Sequence, residues 1–225
     1  MSANPFSAVR QYIAKRREQE FLRSASNEAI FTRIYSINKW GDANTRSGKG
    51  SSLTRTLNLR RKLPYLIKAF NINSLLDIPC GDFYWMEETN LNLDFYIGAD
   101  IVDSLIDQNN ARFSNSKLEF RNLNLLEDDL PSCDAILCRE CLVHFSFADS
   151  FQAISNIQQS QCRLLLTTTF PDIERNTDIL TGKHRPLNFE KPPFNWPKPI
   201  TQIIESECAR RGRKALALWR ISDLL

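Results

Sequence analysis

Residues 74–86, SLLDIPCGDFYWM, constrain the fold of this chain more than any other stretch. Leu75, Leu76 and Ile78 read as a buried β-strand. Pro79, Cys80, Gly81 and Asp82 read as a tight turn, and Phe83, Trp85 and Met86 as the apolar side of a helix start. A strand that ends in a small-residue turn and then a helix N-terminus is expected to present free backbone N–H groups, which suit a polar or anionic cofactor group.

A strand apolar on both faces needs neighbours and a cover on each side, and the rest of the chain supplies them in alternation. Residues 95–101 (FYIGADI) read as a second strand, and 103–113 as a helix that buries Leu105 and Ile106. Residues 118–125 are a third strand and 133–138 (CDAILC) a fourth. A helix over 148–159 is expected to bury Phe151, Ile154 and Ile157, before the apolar strand 163–170 (RLLLTTTF). Two strand-like pieces close the chain, 200–205 and 215–221 (ALALWRI). A short charged turn around 210–212 joins them, so they should pair antiparallel at one edge of the sheet. Continuous apolar strands alternating with helices give an α/β class with a mainly parallel sheet.

Other segments depart from that rhythm. Residues 1–35 carry Phe6, Val9, Tyr12, Ile13, Ala29, Ile30 and Ile34 at helical spacing, which predicts one or two amphipathic helices that need a surface to pack on. Residues 40–52 (WGDANTRSGKGSS) read as a loop of a length uncommon in a compact domain unless it is functional or disordered. Residues 53–72 are helical again, with Leu57, Leu63, Leu66, Ile67 and Phe70 as the apolar stripe. Pro64 predicts a kink there or two shorter helices. Residues 171–199 contain six prolines and read as a long ordered loop or lid.

At 225 residues the chain suits one domain with an appendage: residues 1–52 as an N-terminal helical cap and active-site loop, and 53–225 as the α/β domain. Its 42% hydrophobic and 24% charged residues argue against wholesale disorder. No apolar run approaches the roughly 20 residues of a membrane span, and Arg10, Lys15, Arg16 and Arg17 interrupt any N-terminal signal core. The six cysteines read as buried thiols in a reducing compartment, which points to the cytoplasm. A net charge of +3 does not argue for nucleic acid, and the basic concentrations at 10–23 and 55–62 read as solvated helix sides.

Asp100 ends the second strand. In nucleotide-binding α/β domains an acid about 20 residues past the turn accepts hydrogen bonds from ribose hydroxyls, which makes Asp100 the best single cofactor candidate. Its bland alternative is an acid at the start of the following helix. Several motifs then align. D-I-P-C-G-D (Asp77 to Asp82), G-A-D (Gly98 to Asp100), L-C-R-E-C-L-V-H-F (Leu137 to Phe145) and the closing antiparallel pair together resemble the class I S-adenosylmethionine (SAM)-dependent methyltransferases. More narrowly, I-Y-x-x-N-x-W-G at 34–41, L-T-T-T-F at 166–170 and R-P-L-N at 185–188 resemble a bacterial-type subgroup of them.

The resemblance implies a Rossmann-like, seven-stranded, mainly parallel sheet with an antiparallel C-terminal hairpin, SAM as cofactor, and methyl transfer to O or N of a small-molecule acceptor. It implies that Asp77 orients the methionine amino group or the turn, and that Cys80, Gly81 and Asp82 offer backbone to the methionine end. Asp100 would bind ribose with Ile101 and Leu125 beside the cofactor, and Asn124 would contact the adenine amino group. Arg139 and Glu140 would face the sulfonium and substrate. Tyr35, Trp40 and Arg46 would fold over the cofactor and acceptor, and Trp85, Thr169, His184, Arg185, Asn195 and Trp196 would line the acceptor pocket, although Trp196 beside Pro197 also suits plain packing.

The usual glycines are replaced by Pro79 and Phe83, which disfavours a dinucleotide and the oxidoreductase reading. The same replacements leave room for a methyltransferase-like binding or scaffold protein without catalysis. Candidate bases are His144, Glu140 and Asp82. C-x-x-C-x-x-H (Cys138, Cys141, His144) lacks a second ligand pair for zinc, and a thiol on a strand and one past its end are expected to point apart, so no metal is expected. G-K-G-S in the 40–52 loop lacks the spacing and the preceding strand of a P-loop.

Overall fold

The apolar runs assemble into one seven-stranded sheet in the order β3-β2-β1-β4-β5-β7-β6. The computed structural model describes residues 5–208 and 212–224; the turn expected around 210–212 lies mostly outside them, as do the side chains of Phe6 and Cys208. The strands are β1 (Ser74–Asp77), β2 (Phe95–Asp100), β3 (Leu118–Asn122), β4 (Ala135–Cys138), β5 (Leu164–Thr169), β6 (Thr201–Cys208) and β7 (Gly212–Arg220). Strands β1 to β5 are parallel. β7 runs antiparallel between β5 and β6, as the closing pair of apolar runs leads one to expect.

The helices are α1 (Pro5–Ser24), α2 (Asn27–Ser36), α3 (Leu53–Ala69), α4 (Tyr84–Glu87), α5 (Asp103–Phe113) and α6 (Phe147–Gln159). Two apolar layers cover the sheet. One joins α3 and α5 to it through Leu59, Leu63, Ile67, Leu105 and Ile106. The other joins α6 and the proline-rich loop through Ile154, Ile157, Phe189, Trp196 and Trp219. Among the described residues no helix is long and apolar enough to cross a membrane.

Four local expectations change. Helix α3 runs unbroken through Pro64. Burial of Leu59, Leu63, Leu66 and Ile67 outweighs the roughly 3 kcal/mol that an internal proline costs. Leu57 and Phe151 are 43% and 41% exposed, because Thr56 and Ser150, small and fully buried, occupy the inward positions beside them. Strand β3 stops at Asn122 because Asn124 turns the chain: its Oδ1 accepts from the Leu126 N–H at 3.0 Å. Val9, Tyr12 and Ile13 of α1 stay exposed, and Leu22, with Phe21 packed beside it, joins Ile30 and Ile34 of α2 in a small cluster.

Residues 171–199 contain no helix or strand, yet they are fixed by side chains. Asn176 Nδ2 donates to the carbonyls of Asn188 and Pro192 at 2.8 and 2.9 Å. Asn188 Nδ2 returns bonds to Pro171 and Ile173. The aromatic residues of this loop cover the sheet: Phe189 stacks on Trp196 with centroids 4.3 Å apart, and Trp196 packs edge-on against Trp219.

Candidate functional site

The order of strands reverses direction of growth between β1 and β4, and a cavity of about 310 Å³ opens there beyond the carboxyl ends of β1, β2 and β4. Open α/β sheets bind ligands at this switch point. The expected residues Asp77, Cys80, Gly81, Trp85, Asp100, Ile101, Asn124, Leu125, Arg139, Glu140, His144 and His184 line it, and α2 and the 40–51 loop close it with Tyr35, Trp40 and Arg46.

The turn after β1 differs from expectation in one respect that matters. Its backbone donors are already engaged. The Cys80 N–H donates to the Ala99 carbonyl at 2.8 Å, the Gly81 N–H to Asp100 Oδ2 at 3.2 Å, and the Asp82 N–H to Ser47 Oγ at 2.9 Å. Gly81 has φ +58°, and a Cβ there would lie 2.2 Å from Ser47 Oγ, so only glycine fits beneath the loop. Asp82 faces that loop rather than the cavity. Its carboxylate accepts from the Thr45 hydroxyl, the Arg46 N–H and the Ser47 hydroxyl, each at 2.9 Å. Polar contacts to a ligand here must therefore come mainly from side chains.

Two buried acids provide them. Asp100 accepts from Gly81 on one oxygen and from the Val102 N–H at 3.1 Å on the other, so it both starts α5 and lines the cavity. Burial pushes its carboxyl up to about 6 against those backbone bonds. Asp77 takes the Tyr96 hydroxyl at 2.5 Å, and burial pushes it up to about 7, while that hydrogen bond and the charge of Arg139 pull the other way. Beside them Ile101, Val102, Leu105, Leu123 and Leu125 form an apolar slot.

At the tip of β4 a buried network sets the charges. Arg139 Nε and Nη2 bind Glu205 on β6 at 3.2 and 2.5 Å, Nη2 also donates to the Gly50 carbonyl at 2.9 Å, and the guanidinium lies 5.2 Å over the Trp85 ring. Arg139 thus ties loop, tip and hairpin together while still lining the cavity. Lys214 Nζ on β7 reaches Glu140 Oε1 at 2.5 Å and Glu205 Oε2 at 3.1 Å. Glu140 sits in the left-handed region (φ +55°), with its N–H on the Thr168 hydroxyl. Burial alone would raise Glu140, but Lys214 and Arg139 outweigh it and hold the carboxyl at about 2.

His144 Nδ1 lies 2.7 Å from the Lys183 carbonyl, an acceptor, so Nδ1 carries the proton and Nε2 the lone pair. Burial pushes its imidazole down to about 4, although Glu140 and that carbonyl favour the charged form. Trp40 and His184 flank it at 5.1 and 5.2 Å. Cys138 beside it, together with burial, pushes the Cys141 thiol well above the usual thiol range. Among the described residues no group of three or more His, Cys, Asp or Glu is arranged to hold a metal ion.

Four expected acceptor residues lie away from the cavity. The Thr169 hydroxyl donates to the Leu187 carbonyl, and Arg185 Nε and Nη1 donate to the carbonyls of Thr177 and Leu142 at 3.0 and 2.8 Å. Asn195 is exposed, and Trp196 is buried in the aromatic cover described above. The proline-rich loop contributes His184 to the lining. Sequence reasoning missed Asn109, whose Nδ2 donates to the Gly81 carbonyl at 2.8 Å, and also Glu205, Lys214, Asn27 and Phe31. Asn109 had a signal, an amide on the buried side of α5; Glu205 and Lys214 had none short of the sheet register.

No protein-family model matches the chain, and no curated protein matches it. Solved structures do. The N-methyltransferase NodS from Bradyrhizobium japonicum WM9, solved with S-adenosyl-L-homocysteine (SAH), is 13% identical and superposes with a TM-score of 0.59 over 83% of this chain and 97% of its own. Magnesium protoporphyrin IX methyltransferase from Synechocystis PCC 6803, with bound SAM, is 10% identical with a TM-score of 0.58 over 88% and 98%. The methyltransferase domain of bacterial CtHen1 is 11% identical with a TM-score of 0.55 over 73% and 98%. At these identities the likeness is one of architecture: the chain has the class I methyltransferase fold.

Proposed function

We propose that the cavity binds SAM and that the protein transfers its methyl group to an oxygen or nitrogen of a small-molecule acceptor. One observation carries the reading: a buried acid, Asp100, stands at the end of β2 in a cavity at the strand-order switch point. The residues present fit the group. The Asp100 carboxylate takes the Gly81 and Val102 N–H groups on its two oxygens, and its roughly four lone-pair sites leave room for a ribose hydroxyl. The apolar slot from Ile101 to Leu125 suits adenine, Asp77 suits the methionine ammonium, and Arg46 with Lys49 suits its carboxylate. The cavity volume lies in the usual range for such ligands, roughly 300 Å³ upward. In this reading residues 1–52 are the cap over the site, and the buried thiols fit a reducing compartment such as the cytoplasm.

When bound, SAM supplies an electrophilic methyl group on a sulfonium. The chain aligns the acceptor, excludes water, and offers His144 Nε2 as the place for a proton. Glu140 is engaged by Lys214 and Asp82 by the loop, which leaves His144 as the available base among the candidates.

A thermal-shift panel tests the cofactor. SAM and SAH should raise the melting temperature while NAD and ATP do not; no shift with SAM, or a larger one with NAD, would overturn the reading. The pairing of every turn N–H inside the protein favours a second reading, a SAM-binding protein without turnover. Slow consumption of SAM in the presence of a fractionated cell extract supports the enzyme; binding with no consumption by any fraction supports the second reading.

A further inference from the structure

The acidic, basic and histidine side chains lining the cavity divide into two sets. Asp77, Asp100, Arg46 and Lys49 have work at the cofactor, and Arg139 is bound to Glu205 and Gly50. Glu140, His144 and His184 remain. Lys214, which pairs with Glu140 Oε1, is not among the residues lining the cavity, whereas Glu140 is, so the carboxylate lines it with Oε2 outside that pair. The surrounding wall is aromatic, with Phe31, Tyr35, Trp40 and Phe145, and a guanidinium, that of Arg46, already lies 5.3 Å over the Tyr35 ring.

A second, more open cavity meets the first at Asn27 and Asn124. Its charged residues are Glu28, Glu127 and Asp149 against Arg23, an acidic approach to the same mouth.

Resting on the methyl-donor reading of the cavity, we propose that the acceptor is a cationic amine, seated with its nitrogen beside the Glu140 carboxylate and the His144 imidazole under the faces of Tyr35 and Trp40. Three chemical arguments converge on it. A carboxylate acceptor would meet a carboxylate that its lysine keeps ionised. An alcohol must give up its proton to a base as the bond forms, and with Glu140 held by Lys214 only His144 Nε2 is left among the candidates for that step. An amine needs only its lone pair. Before transfer the ammonium loses one proton to water. The nitrogen lone pair then forms the new N–C bond, the electron pair of the broken bond stays with the donor sulfur, and the positive charge passes to nitrogen. A fixed carboxylate and aromatic faces stabilise that charge both on arrival and in the product.

The test uses the full chain saturated with SAH, titrated with benzylamine, benzyl alcohol and benzoate, and with pentylamine, 1-pentanol and pentanoate. Binding is read from tryptophan fluorescence, since Trp40 and Trp85 line the cavity. Each amine should bind at least about tenfold more tightly than its matched carboxylate and alcohol. Glu140→Gln should bring amine and alcohol to similar affinities, and Tyr35→Leu should weaken the amine alone. Equal or tighter binding of the carboxylates or alcohols, no amine binding to the SAH-loaded protein, or an amine preference that survives Glu140→Gln would overturn the proposal. If Glu140→Gln unfolds, the affinity ratios of the unaltered protein decide. Failure of SAH itself to bind shows before any amine is added and strikes the cofactor reading instead.

Discussion

Asp100 serves two purposes with one carboxylate, closing the Gly81 turn and starting α5 at Val102 while still lining the cavity. Asp100→Ala should weaken SAH binding by about 1.5 to 3 kcal/mol, the worth of hydrogen bonds to a charged group, and calorimetry reads it directly. An unchanged affinity would remove Asp100 from the site. Asp77 gives a pH signature. Its carboxyl is raised to about 7, so ligand-free protein holds a proton there that the unfolded chain has already lost, and the stability this proton gives fades as pH rises toward that value. A ligand ammonium needs the ionised form. SAH affinity should therefore rise with pH through about 7 and then level off, and Asp77→Asn should be weaker and flat over the same range. A flat profile in the unaltered protein would detach Asp77 from the ligand. Both acids were legible in the sequence because each ends a strand before a turn. Arg139 and Glu140 were legible as positions at a strand tip, but not in what they do, because Glu205 and Lys214, which bind them, lie more than 60 residues away in the chain.

At the scale of elements, the alternation of apolar strands and amphipathic helices carried the sheet and its antiparallel edge, since burial on two faces demands that pattern. The loops were read less well. Aromatic and arginine side chains between Phe170 and Ile200 look the same in sequence whether they face a ligand or a sheet, and here Trp196 and Phe189 cover the sheet while Arg185 ties down carbonyls. In the 40–51 loop, residues 45–47 are held by one acid, Asp82, while Arg139 holds the Gly50 carbonyl. Asp82→Ala should release residues 45–47: hydrogen exchange there should quicken and SAH affinity fall, with little change in the global melting temperature. Unchanged exchange would show that the loop is held elsewhere. The hairpin β6–β7 carries a heavier load, because Glu205 neutralises Arg139 out of contact with water. Glu205→Ala strands that cation and should cost about 3 to 5 kcal/mol in urea unfolding. A cost under about 1 kcal/mol would mean that water reaches the pair.

For the whole molecule, the sheet brings residues from α2, the 40–51 loop, β1, β2, β4 and the proline-rich loop to one cavity, and the hairpin braces it from behind through Glu205 and Lys214. The outer layers vary in what they contribute. Helix α1 leaves Val9, Tyr12 and Ile13 exposed, whereas α2 supplies Asn27, Phe31 and Tyr35 to the cavity wall. In the function proposed, this cavity holds a methyl donor. Isothermal titration calorimetry of the full chain with SAH tests it most directly. A single saturable site per chain is the expected result, weakened by Asp100→Ala; no heat of binding from the folded protein, or a stoichiometry and affinity untouched by Asp100→Ala, would contradict it.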